Sequence, residues 1–350
     1  MKHLFNYKWY LKDGYPAPNI QKNNYNVFGT FVCGGGSTMG YKLAGFNHLG
    51  GVEIDPKIAN VYKLNHNPLF FYNEDIREFN KRNDLPKELY NLDILDGSPP
   101  CSTFSMAGSR EKAWGKEKQF REGQAKQTLD DLVFVYCDTI LKLKPKVFLL
   151  ENVKGLIQGN AKLYVKQIVS KLSSDYNVQI FLLNAASMGV PQKRERVFII
   201  GHKKEFSLPK LKLEFNEDAI VFRDILDEND SKETLRSAEV ELWPFVKKGD
   251  KTLADACLRA RGVASFFQHN LQYSEDVSYT ITGSGGGQAI IYDKKRHLNN
   301  KEFYLCGTYP MDYNFKGIEP KYLIGMSVPP VMTAQIANQI KIQWLDNIKG

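Results

Sequence analysis

Short apolar runs alternate with stretches of helical period through the first two hundred residues. This alternation limits the chain to a parallel sheet covered by helices. Val27–Val32 reads as a strand, followed by the glycine turn Gly34-Gly35-Gly36 and a helix-like Met39–Leu43. Val52–Asp55 reads as a second strand, with Pro56 opening a helix over Lys57–Leu64. Leu92–Asp96 is a strand ended by Gly97-Ser98-Pro99-Pro100. Leu129, Leu132, Val133, Tyr136, Ile140 and Leu141 then share one helical face, and Pro145 stops that helix. Val147–Leu150, Val178–Leu183 and Val197–Ile200 are further strands, and Leu163–Leu172 is an amphipathic helix. The expected fold is α/β, a doubly wound and mostly parallel sheet.

After about residue 203 the alternation stops, and charges mix with glycines and β-prone pieces such as Ser278–Thr282. The expected organisation is an N-terminal extension over 1–26, whose role the sequence leaves unassigned. An α/β domain follows over 27–203 and 320–350, with a smaller domain over 204–319. The tail Val331–Leu345 reads as a helix that packs back onto the α/β domain. No internal repeat is present.

Composition narrows the class. Glycine (27), proline (15) and an apolar share of 43% exclude collagen-like and disordered chains. The balance of 47 basic against 39 acidic residues gives +8, which suits a polyanionic partner without proving one. Cysteines at 33, 101, 137, 257 and 306 lack ligand spacing, so neither zinc nor a disulfide framework is expected. The N-terminus lacks the apolar stretch of a signal peptide, and no apolar run is long enough for a bilayer. The expectation is a soluble, reduced, cytoplasmic protein, and nothing suggests more than a monomer.

Several stretches could carry chemistry. The turn from Phe31 through Gly35 and Gly36 lets backbone approach a ligand beside a helix N-terminus. Glu53 and Asp55, read as ending the second strand, could accept from ribose hydroxyls, and Asp75 from an adenine amino group. Together these suggest an adenosine-containing cofactor across the strand ends. The phosphate-loop ending and GxGxxG are both absent, which disfavours an NTPase and a nicotinamide enzyme. Cys101 follows two stiffening prolines and could be a nucleophile, although a single cysteine is commonly a small apolar residue. Glu151 follows a buried strand, where burial would keep a proton available, although an isolated glutamate is commonly an exposed cap. Arg194 and Arg196, two apart at a strand, would point to one side and reach one anionic site; the bland alternative is a solvated charge run.

In this order the stretches resemble the DNA (cytosine-5)-methyltransferase family over about residues 27–202 and 276–345. The matching pieces are the Phe31 turn, Glu53, Asp75-Ile76, Gly97–Ser105 with Pro99-Pro100-Cys101 at its centre, Glu151-Asn152-Val153, Asn184–Arg196, Arg296–Glu302 and Ile324–Pro330. The resemblance implies a Rossmann-like fold that uses S-adenosylmethionine and releases S-adenosylhomocysteine, with no metal. It implies Cys101 as nucleophile on carbon 6 of cytosine and Glu151 as the acid at ring nitrogen 3. Arg196 would contact the cytosine carbonyl, with Arg194 in support. The cofactor would be held by Phe31, Gly35, Gly36, Glu53, Ile54, Asp75, Ile76, Ser98, Pro99 and Ser327. The target base would rotate out of double-stranded DNA lying between the two domains. Residues 224–274 would choose the sequence, and the basic stretch 102–127 would close as a lid over the DNA backbone.

Two positions depart from the family pattern: Cys33 stands where glycine is usual, and Met326 where asparagine is usual. The second leaves the hydrogen bonding expected there in doubt. The resemblance also implies a prokaryotic or phage protein associated with the nucleoid, with a cognate restriction endonuclease as partner. Rival readings are a transfer-RNA cytosine-5 methyltransferase, a catalytically silent nucleic-acid-binding homologue and a Rossmann oxidoreductase, the last disfavoured by its missing glycine pattern.

Overall fold

The computed structural model describes residues 3–100, 132–229, 233–263, 269–283 and 289–348. Cys101 and the stretch 102–127 lie outside the described residues. The chain forms two compact units, one of residues 15–184, 195–214 and 333–350, the other of residues 1–14, 185–194 and 215–332.

The first unit is built on a seven-stranded sheet. Its strands are β1 (Asn26–Thr30), β2 (Asn47–Val52), β3 (Phe70–Tyr72), β4 (Ile94–Gly97), β5 (Val147–Val153), β6 (Tyr176–Asn184) and β7 (Glu195–Lys203). The order is β3-β2-β1-β4-β5-β7-β6. Pairs from β3 through β5 are parallel, and β7 runs antiparallel between β5 and β6. The mostly parallel, doubly wound sheet is the one expected. Leu95, Phe148, Leu150, Val197 and Ile199 form the core of one face, with Tyr136 and Ile140 from α4 (Leu132–Leu143) packed on them.

Two strand boundaries correct the sequence reading. β2 lies at Asn47–Val52, ahead of the expected Val52–Asp55, so Glu53 follows the strand and Asp55 caps α2 (Pro56–His66) through its side chain. β5 continues through Val153, which places Glu151 and Asn152 inside the strand. At the carboxyl edge of the parallel strands the chain leaves β1 into α1 (Gly36–Leu43), β2 into α2, and β3 into α3 (Ile76–Lys81).

The second unit carries a small sheet of three short strands around Leu253, Leu271 and Ile290. Arg296 and Glu302 form a bidentate buried ion pair within it, at 2.8 and 2.9 Å. Residues 3–14 belong to this unit: Phe5 and Trp9 are buried, and Trp9 Nε1 donates to the Thr308 carbonyl at 2.9 Å. Ser278–Thr282 forms no strand; Ser278 makes an isolated bridge to Gln192. The C-terminal helix, Pro330–Gln343, leads Trp344 into the first unit, where its ring meets His202 and its Nε1 donates to the Pro209 carbonyl at 2.8 Å. No described helix is long and apolar enough to cross a membrane.

Candidate active site

The glycine turn after β1 is a left-handed segment: φ is 56° at Phe31, 47° at Cys33 and 80° at Gly35. Gly35 is required twice over. Its φ favours glycine, and a Cβ there would stand 2.1 Å from His66 Nε2. That imidazole is buried and 3.1 Å from the Gly34 carbonyl, so Nε2 carries the proton and donates. Burial pushes His66 down to about 3, which keeps the ring neutral. Gly36 then begins α1.

Glu53 binds this turn to the end of β2. Its Oε2 accepts from the Cys33 N–H and its Oε1 from the Asp55 N–H, both at 2.9 Å. Burial pushes the carboxyl up to about 7, partly opposed by those two N–H donors. Each oxygen keeps a second lone-pair direction for a ligand hydroxyl. Asn73, which the sequence reading passed over, donates to the Glu53 and Ile54 carbonyls at 2.7 and 3.3 Å and so fixes the loop. An asparagine just after β3 was the only signal available. Asp75 caps α3, accepting from the Arg77 N–H at 2.8 Å and pairing with its guanidinium at 3.2 Å. Phe31 packs against the buried pair Ile76 and Leu132, as does Val135, an apolar wall beside these carboxylates.

On the same edge, Pro99 follows β4 and its carbonyl accepts from the buried Asn152 side chain at 3.2 Å. The Ser98-Pro99-Pro100 turn is thereby tied to β5, one residue from Glu151. Strand register explains the next contact: Val153 pairs with Arg196 across β5 and β7, and Glu151, two residues earlier, shares that face. Arg196 Nε reaches Glu151 Oε1 at 3.1 Å, with side chains only 14% and 11% exposed. Burial lowers the guanidinium's proton affinity, and the Glu151 charge opposes that.

The expectation that Arg194 and Arg196 serve one anionic site is corrected. β7 begins at Glu195, so Arg194 precedes the strand and follows a different path. Its buried guanidinium donates to the carbonyls of Ile281, Gly325 and Ser327 at 2.8, 2.9 and 2.9 Å. Ser327, expected at the cofactor, lies in that same unit; its hydroxyl accepts from Tyr309 at 2.7 Å and donates to the Leu323 carbonyl at 2.9 Å. Met326 is 41% exposed at the end of its helix.

A carboxyl that no motif indicated also lies here. Asp96 on β4 is buried and accepts from Tyr41 at 3.2 Å. Burial raises it to about 7; the Tyr41 bond opposes this and the Glu151 charge adds to it. One edge of the sheet therefore gathers a hydroxyl-accepting carboxylate, an apolar wall and a buried carboxylate–guanidinium pair. That set can hold a nucleoside beside a proton-exchanging acid.

Comparison with known proteins identifies the family. The family model for C-5 cytosine-specific DNA methylase matches residues 25–342. Type II methyltransferase M.Sau96I of Staphylococcus aureus is 34% identical over 208 residues, which is 57% of this chain and 44% of that protein. Type II methyltransferase M1.HphI of Haemophilus parahaemolyticus is 26% identical over 327 residues, 89% of this chain and 85% of that one. The chain thus spans less than half of the first relative and most of the second. A crystal structure described as a DNA modification methyltransferase encoded within an E. coli prophage superposes with a TM-score of 0.65 at 21% identity. It covers 91% of this chain and 99% of that one, and the shared fold is what this likeness establishes. With a family match that runs nearly from end to end, the chain belongs to the C-5 cytosine-specific DNA methylase family.

Proposed function

We propose that this chain is a DNA cytosine-5 methyltransferase acting on a flipped-out cytosine in a specific duplex sequence. The observation that carries the reading is the Glu151–Arg196 pair, held at 3.1 Å on the sheet edge that also bears Glu53 and the Phe31 turn. S-adenosylmethionine would be the methyl donor. The residues fit it: Glu53 offers lone pairs to two ribose hydroxyls, Phe31 and Ile76 an apolar wall for adenine, and Asp75 a carboxylate for its amino group. Ile54, Gly35, Gly36, Ser98 and Pro99 would complete the cradle. When bound, the cofactor supplies an electrophilic methyl group whose leaving group is a neutral thioether.

The chain's own residues do the rest. The Cys101 thiolate adds to carbon 6 of the pyrimidine, and Glu151 gives its proton to ring nitrogen 3, so no anion accumulates on the ring. Electron density then rises at carbon 5. Carbon 5 would take up the methyl group, and loss of its proton to solvent water would then expel the Cys101 thiolate while Glu151 recovers the nitrogen-3 proton. Arg196 donates to the cytosine carbonyl while holding the Glu151 carboxyl in place. Arg194 acts indirectly, tying three backbone segments of its own unit together.

Extrusion of the base costs a few kcal/mol, and the basic excess of +8 meets the phosphates. We assign target recognition to residues 204–319, with the choice of sequence in 224–274, and a lid role to 102–127. The name Type II methyltransferase carried by M.Sau96I and M1.HphI supports a cognate restriction endonuclease as partner. We place the enzyme in the cytoplasm, at the nucleoid, as a monomer.

The test is transfer of labelled methyl from S-adenosylmethionine to duplex DNA and to transfer RNA, followed by bisulfite sequencing. Methylated cytosine in one duplex context, abolished by Cys101→Ala and by Glu151→Gln, is the expected result. Transfer to RNA alone, or a 5-fluorocytosine duplex that traps no adduct, overturns it.

A further inference from the structure

Asp96 is a buried acid that the reaction above does not use. It lies on β4, where it pairs in register with Leu149 of β5. In a parallel pair, registered residues share a face, and Glu151 is two residues beyond Leu149. Asp96 and Glu151 therefore lie on one face of adjacent strands. The opposite face takes Leu95, Phe148 and Leu150 into the apolar core.

Several groups face Asp96. Tyr41 donates to its Oδ1 at 3.2 Å, and Ser37 reaches it from the first turn of α1. The phenols of Tyr62 on α2 and Tyr136 on α4 feel its charge, as does the Glu151 carboxyl on β5. Glu151 in turn faces Asp96 on one side and Arg196 of β7 on the other. No cation among these partners belongs to Asp96, whereas Glu151 has one. Two interacting carboxyls in one buried site retain a proton between them at a pH where each alone would be ionised.

We propose that Asp96 is a positioning residue for the acid step: its buried carboxyl, on the same strand face as Glu151, shares one proton with that carboxyl and so keeps the pair loaded at neutral pH. This rests on the proposed transfer to cytosine. Its contact with Ser37 and Tyr41 also joins the acid to the helix that follows the glycine turn, so the carboxyl pair and the cofactor loop share one support. Asp96 acts through Glu151 and does not itself touch substrate.

Asp96→Asn keeps the shape and removes the charge. Single-turnover methyl transfer measured from pH 5.5 to 9 should retain activity at the acid end, while the basic limb moves down by about one pH unit. A merely structural role would lower the rate at every pH and leave the limb in place, and that result overturns the proposal. Carbon-13 NMR of the side-chain carboxyls gives a second measurement that needs no turnover. Asp96 in the parent protein should titrate near neutrality, and Glu151→Gln should move that titration to lower pH. An Asp96 titration indifferent to Glu151→Gln also overturns the proposal, even if Asp96→Asn fails to fold. A parent protein that transfers no methyl to cytosine, with the NMR coupling intact, would defeat the reaction assignment and leave the carboxyl coupling standing.

Discussion

Glu53 allows the balance between binding and stability to be measured at one residue. Its carboxyl is 8% exposed and raised from the ordinary 4.5 to about 7. A folded-state value above the unfolded one means that the folded state binds more protons between the two. Stability is therefore full below pH 4.5 and falls as pH rises toward 7. At roughly 1.4 kcal/mol per pH unit, the loss from this group is about 3 kcal/mol by pH 8. Glu53→Gln cannot ionise, so it escapes that loss. It also turns one acceptor into an NH₂, leaving the Cys33 or the Asp55 N–H without its partner, which costs about 1 kcal/mol at every pH. The variant should be less stable than the parent by about 1 kcal/mol at pH 4.5 and more stable by about 2 kcal/mol at pH 8. Urea unfolding at both values, with the two differences subtracted, isolates the group from the rest of the molecule. Affinity for S-adenosylmethionine should fall in the same variant, because an amide offers the ribose one acceptor in place of two. A stability difference that is the same at both pH values would refute the argument, since it would mean that the carboxyl is not ionised at a cost in the folded state.

Three further substitutions test the turn and its neighbours. Cys33→Gly should raise the melting temperature by about 2 °C, because φ of 47° strains a residue with a Cβ by about 1 kcal/mol while the N–H to Glu53 is retained. Gly35→Ala should destabilise by about 3 kcal/mol in urea unfolding, since its Cβ would collide with the buried His66 ring at 2.1 Å and the backbone is left-handed. Asn152→Ala removes the donor to the Pro99 carbonyl and should slow single-turnover transfer about tenfold with little change in cofactor affinity, because the Ser98-Pro99-Pro100 segment, which precedes the proposed nucleophile Cys101 in sequence, loses its tie to β5.

Which parts of this architecture were readable in the sequence follows from how local each cause is. β5, α5 (Lys162–Leu172) and β7 announce themselves by apolar runs and helical spacing, and they lie within a few residues of their expected bounds. β2 does not, because its core is Asn47-His48-Leu49-Gly50-Gly51, a stretch with almost no β signature. Only its last residue, Val52, falls within the expected strand, and the error displaces Glu53 from the strand into the loop. The antiparallel direction of β7 was readable in principle. Residues 185–194 are ten between β6 and β7, too few for a helical crossover between parallel strands. Arg194 was misread for a different reason: it precedes β7, and what holds its guanidinium is three carbonyls that lie far along the chain, at Ile281, Gly325 and Ser327.

Asp96 differs in kind from these misplacements. Its sequence context reads as a strand over Leu92–Asp96, and β4 lies close by at Ile94–Gly97, with Asp96 inside it. What makes the carboxyl consequential comes from Tyr41, 55 positions earlier, and Glu151, 55 positions later, brought together only when β4 takes its place between β1 and β5. Motifs record the groups that touch substrate, because those must recur at fixed spacing. A group that acts on such a residue through a neighbouring strand leaves no spacing to read, since any element delivering charge to that point would serve. The electrostatics of this edge therefore belongs to strand order rather than to motif, and moving the Asp96 carboxyl one residue along β4 would turn it to the opposite face, among Phe148 and Leu150, and disconnect it from Glu151.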